Sequence, residues 1–187
     1  MAPRRQLLLL LTAIGCSQPV AEKDIDVPVR VKTVALDARN APVVLLEEED
    51  GPRLLPIWVG MDAAHSISLE MKEQSSPRPN THDLAKRVIR GLEGSVARVV
   101  VTELREGTYY ATLNLASRGE IIEIDARPSD AIAIALRTKS PIFVRATVFE
   151  DADEVIDPGW EEPESKTPAP RRTQPIGTSP ATPEQSL

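Results

Sequence analysis

Of the 187 residues, 41% are hydrophobic but only 3% aromatic, so a core must be assembled from Val, Ile, Leu and Ala within one modest domain flanked by tails. The net charge of −6 lies wholly within residues 24–155, which carry 16 Lys and Arg against 22 Asp and Glu. Such an acidic domain is no generic nucleic-acid binder, and a polynucleotide would have to meet a local basic patch or a metal ion. A single cysteine excludes an internal disulfide and a multi-cysteine zinc site.

The chain opens on a targeting pattern. Arg4 and Arg5 precede an apolar run, Leu7 to Leu11, which closes at Ala13-Ile14-Gly15-Cys16. That run is too short to span a bilayer in a mature protein. Ending on Gly-Cys, residues 1–16 resemble a bacterial lipoprotein signal, in which Cys16 would be lipidated and become the new amino terminus. The other reading is a plain secretory signal with an incidental cysteine. The first implies a lipid-anchored protein of the cell envelope, with the membrane as a partner; the second implies plain secretion or a periplasmic location. Residues 17–26 read as a polar tether.

From Val27 the pattern is β. Val27, Val29 and Val31 alternate with other residues, Val43 to Leu46 follows, Glu47 to Gly51 makes a charged turn, and Leu54 to Val59 returns. A helical pattern covers Met61 to Lys72. The second half repeats the order: Val96 to Leu104, a turn at Glu106-Gly107, Tyr109 to Leu115, a turn near Gly119, Glu120 to Ala126, and a helix over 128–139. At an offset of 68 residues Gly51 meets Gly119, Asp62 meets Asp130 and Val31 meets Val99. The expectation is an α+β fold in which two β-β-β-α-type repeats share one mixed, barrel-like sheet.

Between the halves, Pro77 and Pro79 force an extended approach to a helix capped by Thr81 (or Asn80) and running to about Leu92. Leu84, Val88, Ile89 and Leu92 form its apolar stripe, expected to face the core, with Lys86, Arg87 and Arg90 toward solvent. Pro141 to Arg145 reads as a last strand and Ala146 to Val155 as a short amphipathic end, which closes a folded domain at 27–155. Pro, Glu, Ser and Thr dominate residues 156–187, so that tail is expected to be disordered.

One junction concentrates charge. A strand ending at Asp125-Ala126 runs into a helix with Pro128 at its first position, which brings Asp125, Arg127 and Asp130 to a single corner. The helix itself, Ala131-Ile132-Ala133-Ile134-Ala135-Leu136, is apolar nearly all round and reads as buried. The charges either cap this helix and pair with one another or form a site.

Four stretches in this order resemble the bifunctional nuclease domain family: Leu55-Pro56-Ile57-Trp58-Val59-Gly60, Arg78-Pro79-Asn80-Thr81-His82-Asp83-Leu84, Leu104-Arg105-Glu106-Gly107-Thr108-Tyr109-Tyr110-Ala111, and Asp125 to Ala131. The resemblance covers about residues 27–155. It implies an α+β fold, a homo-oligomer, and nuclease activity on DNA and RNA.

Hydrolysis of a phosphodiester needs an activated water, a charge clamp on phosphoryl oxygens and usually a divalent cation. His82 and Asp83 offer a base and an orienting acid, although as helix neighbours they point about 100° apart. Asp125 and Asp130 offer carboxylates for Mg²⁺ or Mn²⁺. Arg127 and Arg78 suit phosphate, and Lys86 and Arg87 extend that surface, unless they are only a solvated face. His82 is otherwise a helix-start histidine bonded to a loop carbonyl, and His65 reads as structural. Two functions follow: a metal-assisted nuclease using Asp125, Arg127, Asp130, His82 and Asp83, or a non-catalytic, envelope-anchored binding or assembly module with the same fold.

Overall fold

The computed structural model describes residues 25–74 and 76–155. The signal segment with Cys16, most of the tether and the 156–187 tail lie outside the described residues. Seven strands and four helices follow in chain order: β1 Asp26–Leu36, β2 Pro42–Glu48, β3 Leu54–Trp58, α1 Met61–Met71, α2 Thr81–Gly91, β4 Ser95–Arg105, β5 Thr108–Ser117, β6 Glu120–Ala126, α3 Pro128–Thr138, β7 Ile142–Arg145 and α4 Ala146–Val155. The β4–β5 and β5–β6 loops are two residues each. Glu106 and Gly107 have φ of 51° and 73°, and Arg118 and Gly119 have 52° and 84°. Two positive φ values in succession mark the type I′ turn, whose twist matches that of paired strands.

The strands form one mixed sheet ordered β3-β2-β1-β7-β4-β5-β6. All pairs are antiparallel except β4 with β7. The sheet is not closed, which corrects the expected barrel-like shape: β3 and β6 are its two edges. Pro56 sits in one of them, where its missing N–H interrupts no ladder on the outer side. The Tyr109 hydroxyl on β5 donates to the Pro56 carbonyl on β3 at 3.2 Å.

Both halves run β-β-β-α, but the likeness is one of order and not of register. Longer loops, Asp37–Ala41 and Glu49–Arg53, join the strands of the first half, where the second uses two-residue turns. The extra residue of a bulge falls at Lys32 in β1 but at Ala97 and Thr102 in β4.

Val, Ile, Leu and Ala do build the core, and α3 is its centre. Ala131, Ile132, Ala133 and Ala135 are fully buried, and the alanines let α1, α2 and the sheet approach α3 closely. Val44, Leu46, Leu55, Ile67, Val99, Val101 and Leu113 join the same cluster. Fully burying each large aliphatic side chain contributes about 2 kcal/mol. α2 departs from expectation. Only Ile89 of its stripe packs against the core, while Leu84, Val88 and Leu92 are exposed. The reason is that α2 is held to its neighbours by polar side chains, described below, which turn its apolar stripe outward.

Tyr109 tests the approach of the β4–β5 hairpin to β3. Burial pushes its phenol up to about 12. In a Tyr110→Phe variant, phenolate absorbance should therefore rise only near that pH, and a midpoint near the ordinary value of about 10 would contradict the contact. Tyr109→Phe, which strips the Pro56 carbonyl of its donor, should cost about 1 kcal/mol in denaturant unfolding.

Candidate functional site

Asn80 ends the proline-bound approach and caps α2. Its side-chain oxygen accepts from the Asp83 N–H at 3.0 Å, and the Asp83 carboxylate accepts from the Asn80 N–H at 2.9 Å. This reciprocal box satisfies two donors that a helix start leaves without partners. The other Asp83 oxygen receives Arg137 Nε at 2.7 Å. Arg137 lies on α3 with its side chain only 2% exposed, and it also donates to the carbonyls of Ala133 and Ser66, at 2.9 and 3.2 Å. One buried guanidinium thus joins α1, α2 and α3. Burial raises the Asp83 pKa, but the bonds from Arg137 and the Asn80 N–H, with the Arg137 and Arg87 charges, outweigh it and hold the carboxyl below its ordinary value.

His82, in the same turn, is buried between α1 and α3. Its Nδ1 lies 2.8 Å from Ser66 Oγ and its Nε2 lies 3.1 Å from Asp130 Oδ1. Asn80 Nδ2 donates to Ser66 Oγ at 3.1 Å. The Asp130 carboxylate can only accept, so Nε2 carries the proton of the neutral ring and donates to it, which leaves Nδ1 to accept from the Ser66 hydroxyl while Ser66 Oγ accepts from Asn80. Arg127, the residue before α3, grips Asp130 with Nε at 2.7 Å and Nη2 at 3.2 Å. Burial raises the Asp130 pKa, but Arg127 and His82 together bring it below the usual carboxylate range.

The Pro-bound start of α2 and the acidic corner of α3 therefore meet, 48 residues apart in sequence. The first turns of the two helices converge there with their positive ends. His82, Asp130 and Arg127 are in direct contact; Asp83 is one position away but turned toward Arg137. Asp125 does not join them. It pairs with Thr112, on the sheet face opposite to Ala111 and Leu113, whereas α3 packs on the face of those two. Strand alternation separates Asp125 and Asp130 although only four residues lie between them. Arg78 and Arg87 are exposed and Lys86 is half-buried near the same helix start, and His65 is exposed on α1. Among the described residues no group of three or more His, Cys, Asp or Glu side chains is arranged to hold a metal ion.

Ser66 and Arg137 were not singled out from sequence. Arg137 left a usable signal: it is the one basic residue of an otherwise apolar helix and lies seven positions after Asp130, two turns along the same face.

Chemically, the arrangement is an acid–histidine pair with one partly open carboxylate, Asp130, beside an exposed arginine. The fold and site define an α+β domain with an open mixed sheet and a charged cluster between two helix starts. The sequence profile of the bifunctional nuclease domain matches residues 44–157. The chain belongs to that family. An uncharacterized protein of Mycobacterium tuberculosis is 45% identical over 118 residues, 63% of this chain and 70% of that protein. Bifunctional nuclease 1 of Arabidopsis thaliana is 34% identical over 134 residues, and bifunctional nuclease 1 of Oryza sativa subsp. japonica is 32% identical over 133. Each plant alignment covers 69% of this chain but only 40% of the plant protein.

Removing the Asp83 carboxylate strands the buried Arg137 charge, so Asp83→Asn should lose about 3 kcal/mol of unfolding free energy at neutral pH. Because the folded pKa of Asp83 is depressed, its contribution is present above the unfolded value of about 3.9 and is lost as pH falls through the folded one. Denaturant titrations should show the wild-type and Asp83→Asn curves converging below about pH 4. A constant gap down to pH 2 would contradict this assignment.

Proposed function

We propose that the chain is a nuclease that hydrolyses phosphodiester bonds of DNA, RNA or both. The observation that carries this reading is the contact of His82, Asp130 and Arg127 in a member of a family whose plant relatives are named bifunctional nucleases. Arg127 is the phosphate clamp. Its side chain is 79% exposed, its planar fork matches two phosphoryl oxygens, and the adjoining helix starts favour an anion. Arg78, Lys86 and Arg87 extend the surface along which a strand can lie. When phosphate draws Arg127 away, Asp130 loses a bond that lowers its pKa and becomes a better base for the attacking water. His82, fixed by Ser66, keeps Asp130 oriented.

No step is assigned to Mg²⁺ or Mn²⁺, because the donors do not fit one. Both oxygens of Asp130 and of Asp83 are engaged, and Asp125 stands on another sheet face. A second reading, a non-catalytic binding or assembly module, is favoured by the burial of Ser66 and His82, which makes the cluster also a clasp between helices. We further propose that Cys16 carries a lipid that holds the domain at the cell envelope. The motif ending in Gly15-Cys16 supports this.

Single-stranded DNA and RNA are the assay substrates, with Mg²⁺, Mn²⁺ and chelator in separate arms. Asp130→Asn, verified as folded by its unfolding midpoint, should lose about 100-fold or more in rate. Arg127→Ala should chiefly raise KM. Unchanged cleavage by folded Asp130→Asn removes the site, and no cleavage by the wild type in any arm favours the non-catalytic module.

For the anchor, labelled fatty acid supplied to expressing bacteria should appear on the wild-type chain and not on Cys16→Ser. Equal labelling of both would exclude Cys16 as the attachment point.

A further inference from the structure

The two edges of the sheet are built differently. β3 offers five residues with Pro56 among them, the kind of edge that resists a further strand. β6 offers seven residues with neither proline nor lysine, and it pairs with β5 throughout without a bulge. Its outer side pairs with no strand among the described residues. Ile121, Ile122 and Ile124 are 59, 49 and 40% exposed, and Glu120, Glu123 and Asp125 are exposed beside them.

The hairpin fixes which backbone groups of β6 stand free. The two-residue turn at Arg118-Gly119 makes Ser117 and Glu120 a hydrogen-bonded pair, and such pairs alternate along an antiparallel ladder. Glu120, Ile122, Ile124 and Ala126 therefore bond to β5, whereas the N–H and C=O groups of Ile121, Glu123 and Asp125 point outward. Alternation also sorts the side chains. Ile122 and Ile124 stand beside Leu115 and Leu113 and continue the apolar face on which the helices pack, with Glu120 at its end. Ile121, Glu123 and Asp125 stand on the other face, beside Ala116, Asn114 and Thr112.

We propose that β6 receives an extended segment of another protein as an eighth strand of the sheet, one in which apolar residues alternate with lysine or arginine. Its apolar side chains extend the core past Ile122 and Ile124, and its basic ones lie against Glu123 and Asp125 on the opposite face. Backbone pairing supplies the attachment, and the alternation supplies the selectivity. Charge and composition decide against other occupants. Full-length antiparallel pairing of two β6 edges centres on Glu123 and sets like charges opposite one another. Residues 156–187 nowhere run more than four residues without a proline, which is too short for a seven-residue strand. The proposal does not rest on the nuclease reading, since it uses none of His82, Asp130 and Arg127.

The test takes the full chain with a fluorescein-labelled, end-capped peptide of alternating Lys and Val, and a Glu and Val peptide as its counterpart. Fluorescence anisotropy should give a Kd at least about 10-fold lower for the Lys peptide. In hydrogen exchange followed by NMR, the amides of Ile121, Glu123 and Asp125 should exchange freely in the chain alone and slowly in the complex, while those of Ile122 and Ile124 are slow in both. Glu123→Pro removes an outward N–H without touching the ladder to β5 and should abolish binding. Glu123→Lys with Asp125→Lys should reverse the preference toward the Glu peptide, with an unchanged far-UV circular dichroism spectrum verifying the fold. No binding, equal affinity for the two peptides, or binding that leaves the three outward amides unprotected overturns the proposal. So does protection of those amides in the chain alone, which marks residues 1–24 or 156–187 on the edge or, where it grows with concentration, a second copy.

Discussion

A buried guanidinium organises this molecule. Arg137 is almost wholly withdrawn from water and spends its donors on a carboxylate of α2, a carbonyl of α1 and a carbonyl of its own helix. A charge in that position is tolerable only if every donor is matched. Matching them dictates where the starts of α2 and α3 must lie. The short, branching chain of polar contacts that follows, from Asp83 through Asn80 and Ser66 to His82 and Asp130, is a consequence of that placement.

The polar joint also accounts for the exposed side of α2. A helix held by apolar packing must turn its stripe inward, whereas one held by hydrogen-bonded charges at its first turn is free of that demand. Ile89 still touches the core, but Leu84, Val88 and Leu92 do not.

The members of the cluster differ in how far they face solvent. Arg137 is enclosed, and the Asp83 carboxylate that it grips acts on the fold; Asp83 and Asp130 are equally half-buried, and exposed Arg127 beside Asp130 is the open end of the cluster. Substitutions at Arg137 and Asp83 are therefore expected to be read first in unfolding.

Much was legible in the sequence because it depends on local rules. The turns at Glu106-Gly107 and near Gly119, the proline at the start of α3 and the apolar β runs all follow from backbone preference and periodicity over a few residues, whereas the cap of α2 fell on Asn80, the alternative to Thr81. The meeting of His82 with Asp130 was also expected, from motifs of a family and not from spacing. What the chain by itself determined was its elements, an α+β sheet and an acidic domain that needs a confined basic spot to hold an anion. What only the tertiary structure decided was the open edge at β6, the outward stripe of α2, the role of Ser66 and Arg137, and the parting of Asp125 from Asp130. Each of these rests on which faces pack together, and packing between segments tens of residues apart is set by long-range burial of charge and volume that no local pattern records.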